Sequence, residues 1–218
     1  MKTPWRTTAR QDRSRATDDR IVAAACELIG KHGFEALPVA AIARRARVSI
    51  GGLYARYRDK MALVHAADEA MVTAFETAFV KAMAPARLAG RDIAGVIEAY
   101  VGAMVNFFTR HRDLLRQVVL RARSTGDPGF TDRIRAFNER AHGTLCAELM
   151  LRRRAIQHPD PEAAAAFGVM FVSAAAREAV LFGDPKLNRA STRGQKLVRE
   201  LVHAYCAYLG APPDQDKS

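Results

Sequence analysis

Cationic and hydroxyl-bearing side chains are concentrated between residues 44 and 60, and this combination is suited to binding phosphate. Guanidinium and ammonium groups neutralise phosphate charge, while serine and tyrosine hydroxyls donate hydrogen bonds to phosphate oxygens. A guanidinium group can also contact guanine in a major groove. The candidate contact residues of these types are Arg44, Arg45, Arg47, Ser49, Tyr54, Arg56, Tyr57 and Lys60, and Ile50, Gly51 and Gly52 lie between them.

The net charge of +11 comes mostly from the first quarter of the chain. Residues 1–60 contain 13 Lys/Arg and 6 Asp/Glu, whereas the remaining residues contain 21 and 17. A basic module of this kind is typical of proteins that meet nucleic acid or an anionic membrane surface. Apolar residues make up 49% of the chain, which is ordinary for a globular protein with a buried core.

The sequence offers little for other chemistries. Cys26, Cys146 and Cys206 are far apart, so we expect buried thiols rather than a disulfide framework or a metal site. The six histidines form no close pair, and no hydrolase, phosphate-loop or dinucleotide motif occurs. We therefore predict no catalytic residues, metal or cofactor, and we do not expect an enzyme.

The sequence also predicts where the protein acts. The N-terminus lacks the apolar stretch of a signal peptide. The longest uncharged stretch, Ala163–Ala176, has 14 residues, whereas a membrane span needs about 20. We therefore expect a cytoplasmic protein with no membrane partner.

The elements that must position these residues are helical, since apolar residues recur at helical spacing and never alternate over a long run. Asp18 and Asp19 are expected to begin the first helix, and Gly33 to end it. The further predicted helices are Val39–Ala46, Ile50 to about Arg56, and about 59–83, 92–110, 112–123, 129–153, 160–182 and 190–209. This is an all-α fold.

Charge and helix length predict three parts of the chain. Residues 1–18 form a flexible basic arm, which either contacts DNA or is a solvated tail. Residues 19–65 form a small three-helix domain, which is homeodomain-like in arrangement and contains the helix-turn-helix pattern of residues 42–54, and residues 66–218 form a larger helical domain that could enclose a ligand cavity, dimerise, or both.

Residues 42–54 have the pattern of a helix-turn-helix. Ala43 is small enough for two helix backbones to meet, and Ser49 is suited to cap the second helix. The shared apolar contacts are expected from Ile42, Ala46, Val48 and Leu53.

This segment resembles the DNA-binding signature of the TetR family of transcriptional regulators. The resemblance covers residues 18–65 and rests on Leu37–Ala43 and Val48–Tyr54, followed by Tyr57, Lys60 and Leu63. Two positions depart from the family pattern. Arg47 replaces the usual turn glycine, at a cost of about 1 kcal/mol if the residue has positive φ. Pro38 stands near the usual Thr or Ser, so a hydroxyl that could bind phosphate is lost.

The resemblance implies a homodimeric repressor that a small-molecule effector releases from operator DNA. It places the second motif helix in the major groove, with Tyr54 and Lys60 on phosphate and Arg56 where a phosphate-contacting histidine is common. It implies that Tyr57 packs while its hydroxyl reaches DNA. Because Gly51 and Gly52 carry no side chains, base choice is expected from Arg45, Ile50 and the basic arm.

The resemblance also assigns roles to the larger domain. The helices at about 160–182 and 190–209 are implied to pair with their twofold mates as a four-helix bundle, and intramolecular packing is the alternative. The candidate effector pocket residues are Tyr100, Met104, Phe107, Phe108, Val119, Phe137, Met170, Phe171 and Arg177. An inward Arg177 favours an anionic effector, although it could instead pair with Glu178 or across the dimer. The alternative function is a helical ligand-binding or interaction protein with a non-functional DNA module.

Overall fold

A computed structural model describes residues 5–124, 128–183 and 194–211. Within these ranges the chain is helical and has no strand, which confirms the all-α prediction. A 3₁₀ turn follows α8 at Arg153–Ala155, and a π-helical segment follows α9 at Glu178–Phe182. The α-helices are α1 (Trp5–His32), α2 (Val39–Ala46), α3 (Ile50–Tyr54), α4 (Lys60–Ala82), α5 (Pro85–Leu88), α6 (Ile93–Arg110), α7 (Arg112–Ser124), α8 (Pro128–Met150), α9 (Pro161–Arg177) and α10 (Gly194–Leu209).

The start of α1 differs from the sequence prediction. The helix begins at Trp5, although residues 1–18 were expected to be a flexible arm and the helix to start near Asp18. No glycine or proline interrupts the chain from Trp5 to Ile29, so a helix nucleated by its packed turns can extend toward the N-terminus. Apolar periodicity identifies the buried face of a helix and does not mark helical residues that are exposed. The pattern therefore begins at Ile21, which is fully buried.

The chain divides into two compact units. The N-terminal unit contains residues up to Met71 together with Asp113–Phe130, and thus includes α7 as well as α1, α2, α3 and the first part of α4. Its core is formed by fully buried side chains, among them Ile21, Ala25, Ile29, Ile42, Leu53 and Leu63. This unit is larger than the segment 19–65 because α7, which is distant in sequence, packs within it.

A buried ion pair joins α4 to α7 inside the N-terminal unit. Arg121 Nη1 lies 2.8 Å from Asp68 Oδ2, and the two side chains are only 9% and 1% exposed. The Arg121 guanidinium also lies 4.8 Å from the ring centroid of Phe34. Because burying one charge without an opposite charge is costly, the Asp68–Arg121 pair stabilises the contact between α4 and α7.

The C-terminal unit contains Val72–Arg112 and the residues from Thr131 onward. Helices α6, α9 and α10 pack together in it, and α9 and α10 approach closely at Gly168. A Cβ atom on Gly168 would lie 1.8 Å from Tyr205 Cε2, so only glycine leaves room for this ring. The Tyr205 hydroxyl donates a hydrogen bond to the Ala165 carbonyl, which satisfies the buried phenol.

The helix from Pro161 to Phe182 bears on the question of a membrane span. Its 22 residues are long and apolar enough to cross a membrane by length and composition, although the uncharged stretch has only 14 residues. The difference arises because Glu162 and Arg177 lie near its ends. About a third of its most apolar window is buried in the single chain, and its α9 part packs against α6 and α10.

Candidate nucleic-acid interface

Helices α2 and α3 pack through a small apolar core, as the sequence predicts. Ile42, Ala43, Ala46 and Leu53 are all buried. The Val48 amide donates to the Ala43 carbonyl over 3.0 Å, which closes the turn after α2. Arg20 of α1 adds a bond that the sequence did not indicate, since its Nε donates to the last carbonyl of α2 at Ala46 over 3.2 Å.

The turn between the two helices contains a strained arginine. Arg47 has φ +57° and ψ +47°, the left-handed conformation that favours glycine. Its amide donates to the Arg44 carbonyl over 3.2 Å. The backbone therefore has the geometry that a turn glycine would adopt, and Arg47 adopts it at a cost of about 1 kcal/mol.

Ser49 caps α3 as predicted, since its hydroxyl accepts a 3.0 Å hydrogen bond from the Gly52 amide. The helix ends at Tyr54, two residues before the predicted end. Its outer face consists of Ile50 and Tyr54, which are 51% and 45% exposed, with open space around Gly51. This face is accessible, and it is mostly apolar.

Among the described residues, two of the candidate cations have no side-chain partner. Arg44 and Arg47 are exposed, and neither makes a hydrogen bond or ion pair through its side chain within the part of the chain that the structure describes. Arg44 lies in the last turn of α2, and Arg47 lies in the turn between α2 and α3. Their guanidinium groups are therefore available to an anion without breaking any existing contact.

The other candidate cations already have partners. Arg45 forms an ion pair with Glu27, which also binds Lys31. The hydrogen bond from Lys31 and the charge of Arg45 lower the pKa of Glu27, so this carboxylate stays charged. Lys60 donates from Nζ to the Glu35 carbonyl.

Arg56 connects the end of the helix-turn-helix to α1. Its Nη1 lies 3.3 Å from Ser14 Oγ and 3.6 Å from Asp18 Oδ1. Nearby, Tyr57 is half-buried, and burial raises the pKa of its phenol, so the hydroxyl remains protonated at neutral pH. The structure thus packs Tyr57 against the unit while Tyr54 stays accessible, as the family pattern implies.

Arg58 is a candidate that the sequence prediction missed. Its side chain is 88% exposed, and its Nε lies 3.0 Å from Asp59 Oδ2. Asp59 caps α4 by accepting from the Ala62 amide over 2.8 Å, and this bond lowers the pKa of the carboxyl group. The proximity of Arg58 to Lys60 in a basic segment was the available signal.

A separate cavity of about 150 Å³ lies among α4, α6, α8 and α9 of the C-terminal unit. Six of the nine predicted effector residues line it, namely Tyr100, Met104, Phe108, Phe137, Met170 and Arg177. The prediction omitted other lining residues, including Phe75, Phe79, Asn138 and Ser173.

Three predicted pocket residues lie elsewhere. Phe107 stacks on Phe75 with ring centroids 4.4 Å apart, and it lines a second cavity of the C-terminal unit, of about 770 Å³, rather than this one. Val119 lies on α7 and belongs to the N-terminal unit, whereas Phe171 is on the surface of α9. An apolar helix face shows that a residue is buried or interacting, but it does not show which helix is its partner.

The N-terminal unit is therefore a helix-turn-helix module of the kind that binds DNA, attached to a larger helical unit with its own cavity. The sequence model described as bacterial regulatory proteins of the tetR family matches residues 21–67. A second, described as the tetracyclin repressor-like C-terminal domain, matches residues 92–209. The chain belongs to the TetR family of transcriptional regulators.

Solved structures of transcriptional regulators share the fold, and the first two below are described as TetR regulators. One from Mesorhizobium loti has a TM-score of 0.68 at 20% identity, covering 89% of this chain and 97% of its own. One from Haloarcula marismortui has a TM-score of 0.66 at 17% identity, covering 90% and 97%. The fatty acid degradation regulator FadR from Bacillus halodurans has a TM-score of 0.64 at 17% identity, covering 87% and 94%. Among curated proteins, no sequence matches the chain.

Proposed function

We propose that the protein is a homodimeric repressor that binds operator DNA through α3 and leaves it when a small molecule occupies the C-terminal unit. The observation that carries this proposal is the exposed face of α3 beside the unpartnered Arg44 and Arg47. Residues 19–65 would carry DNA binding, and residues 66–218 would carry effector binding and dimerisation. The proposed site of action is the cytoplasm, where the operator lies.

The contact residues differ in what DNA binding would cost them. Arg44 and Arg47 can meet phosphate or guanine directly. Arg45, Arg56 and Lys60 must first exchange an internal bond, so each should contribute less net affinity than its charge suggests. The remaining proposed contacts of this surface are Ser49, Ile50, Gly51, Gly52, Tyr54 and Tyr57.

The salt dependence of DNA binding tests the interface. Binding to the gene's own upstream DNA should fall steeply with salt, because each phosphate contact adds about 0.9 to the slope of log affinity against log salt. Arg44→Ala removes one such contact from each protomer and should lower the slope by about 2. Arg116→Ala, which removes an exposed arginine of α7, is the matched control and should leave the slope unchanged. Absent or salt-insensitive binding would refute the proposal.

A base-specific role and a phosphate role can be separated. Lys60→Ala should weaken binding to all DNA sequences about equally, since a phosphate contact carries no sequence information. Ile50→Ala should instead change the preferred operator sequence. A change of preferred sequence caused by Lys60→Ala would contradict its proposed role.

The proposed dimer uses α9 and α10. Phe167, Met170, Phe171 and Tyr208 are large apolar side chains that remain more than 40% exposed in the single chain. A patch of this kind is typical of an interaction surface. Phe167→Glu should yield a monomer in sedimentation velocity, whereas Leu120→Glu, which alters an exposed apolar residue of α7, should not. A dimer that survives Phe167→Glu unchanged would exclude this face.

The proposed release requires α4. This helix contributes residues to both units, and Phe75 and Phe79 of its second part line the cavity. An effector that displaces this part would change the separation of the two recognition helices, which must be about 34–36 Å for successive major grooves. Phe79→Trp should fill the cavity and make operator binding insensitive to the effector. Unchanged release from DNA would rule out this route.

A further inference from the structure

The cavity of the C-terminal unit has a wall of aromatic rings. Phe75 and Phe137 have centroids 4.7 Å apart, Phe79 meets Phe137 at 6.2 Å, and Phe79 meets Tyr100 edge-on at 5.5 Å. Rings in such tilted and edge-on arrangements form a site that suits a further flat ring, because aromatic pairs favour these geometries.

The volume limits the size of the occupant. An apolar cavity of about 150 Å³ accommodates a molecule the size of benzene. This cavity has about that volume, so it holds one six-membered ring with a small substituent. A long alkyl chain or a fused ring system exceeds the space.

The charge of the residues that line the cavity indicates which substituent the ring of the ligand carries. Among the described residues that line the cavity, Arg177 is the one ionised residue, and no Asp, Glu or Lys is found. Within the described ranges, the Arg177 side chain has no hydrogen bond or ion pair, so it is not paired with the adjacent Glu178. The cavity therefore has a positive charge without an internal counter-ion.

The other polar groups of the lining are neutral. Burial lowers the pKa of His142 and raises the pKa of Tyr100 to about 12, so at pH 7 both rings are uncharged. The Tyr100 hydroxyl lies 3.4 Å from Ser173 Oγ, one helical turn before Arg177 on α9. Asn138 and His142 on α8 offer further hydrogen-bonding atoms to a ligand.

The helix changes its hydrogen-bonding pattern next to Arg177. The π-helical segment begins at Glu178, immediately after the arginine. Segments of this type occur frequently at functional sites, where they shift the register of the side chains that follow. This feature is independent of the charge and volume of the cavity and lies at the same place.

We propose that the effector is a small aromatic monocarboxylate whose ring lies among Phe75, Phe79 and Phe137 and whose carboxylate pairs with Arg177. A carboxylate matches the planar guanidinium with two parallel hydrogen bonds, which a neutral amide or a cation cannot form. This inference rests on the proposed function, because it takes the cavity to be the effector site.

Calorimetric titration of the full-length, DNA-free protein tests the proposal with benzoate, benzamide, benzylamine and decanoate as probes. Benzoate should bind at least tenfold more tightly than benzamide, since hydrogen bonds between charged groups are the stronger ones. Benzylamine should bind more weakly still because its ammonium group has the same charge as Arg177. Decanoate should also bind more weakly because its alkyl chain exceeds the cavity. Equal affinity for benzoate and benzamide, or a preference for decanoate, would overturn the proposal.

Arg177→Met identifies the charged group, because methionine removes the charge and keeps an unbranched side chain. This variant should lose the preference for benzoate while retaining its affinity for benzamide, which shows that the cavity is intact. Arg177→Lys should give an intermediate preference, and Arg154→Met, an exposed arginine near the 3₁₀ turn, should keep the full preference. An unchanged preference in Arg177→Met would overturn the assignment.

DNA binding separates this inference from the proposed function. Benzoate that binds through Arg177 without releasing operator DNA supports the chemistry of the site and contradicts effector release. The opposite outcome is that another compound releases the protein from operator DNA while benzoate shows no preferential binding. That outcome supports effector-controlled repression and overturns the aromatic monocarboxylate as the effector.

Discussion

Replacing Arg47 by glycine should make the protein more stable and at the same time weaken its binding to DNA. Arg47 has φ +57°, where a Cβ atom costs about 1–2 kcal/mol, and glycine removes this strain. Glycine also gains entropy in the unfolded chain, which offsets about 0.5–1 kcal/mol of the benefit. The net gain is about 1 kcal/mol, or about 2–4 °C in the melting temperature of a chain of this size.

The matched variant is Arg47→Ala, which removes the same guanidinium but keeps the Cβ atom. Because the Arg47 side chain is exposed and has no partner within the described ranges, this change should leave the free energy of unfolding nearly unaltered. Both variants remove one charge from each protomer. The slope of log affinity against log salt should therefore fall by about 2 for a dimer in both cases.

Urea unfolding and fluorescence anisotropy with labelled operator DNA measure the two effects separately. The difference in stability between the glycine and alanine variants isolates the backbone, and their common loss of affinity isolates the guanidinium group. Equal unfolding midpoints for the two variants would show that residue 47 is not strained in solution. A salt slope equal to that of the wild type would show that its side chain does not contact phosphate.

Three further predictions concern packing and burial. Gly168→Ala should destabilise the protein by about 3 kcal/mol in urea unfolding, because the new Cβ atom overlaps the Tyr205 ring. Asp68→Ala should cost about 3–5 kcal/mol in the same measurement, since it removes the carboxylate that faces the buried Arg121 guanidinium. Burial raises the pKa of Cys26 to about 11, so at pH 8 its alkylation should be about a hundredfold slower than in the unfolded chain, as followed by peptide mapping.

The first two of these predictions have a matched control in the same chain. Gly143→Ala places a Cβ atom in open space on α8 and should stabilise the protein slightly. Equal losses of stability in Gly143→Ala and Gly168→Ala would exclude a steric cause. Glu69→Ala alters an exposed acid beside Asp68 and should change stability by less than about 0.5 kcal/mol. If native Cys26 is alkylated at the rate of the unfolded chain, α1 opens readily around this residue.

The helix-turn-helix could be predicted from the sequence because its determinants are local. Ser49 caps α3 within three residues, and Ile42 and Leu53 occupy the buried face that their spacing indicates. The positive φ of Arg47 follows from its position in the turn, where the family has glycine. Short-range geometry of this kind is encoded by residue type and spacing.

Long-range pairings were not predictable, because periodicity shows which face of a helix is buried but not what covers it. Asp68 and Arg121 are 53 residues apart, and nothing near either residue indicates the other. For the same reason the sequence does not indicate that Val119, on α7, packs in the N-terminal unit. The lack of an internal partner for Arg177 also depends on the three-dimensional arrangement.

The internal pairings change the interpretation of the basic surface. The sequence suggests that every arginine near α3 is equally available to DNA, yet Arg45 and Arg56 already bind carboxylates of α1. Only a contact that outweighs the broken bond adds affinity, so the unpartnered Arg44 and Arg47 should dominate the electrostatic contribution. A glycine at position 47 would relieve strain but leave the turn without a cation. Residues that are locally unfavourable tend to occur where function requires them, and Arg47 has this property at the centre of the proposed interface.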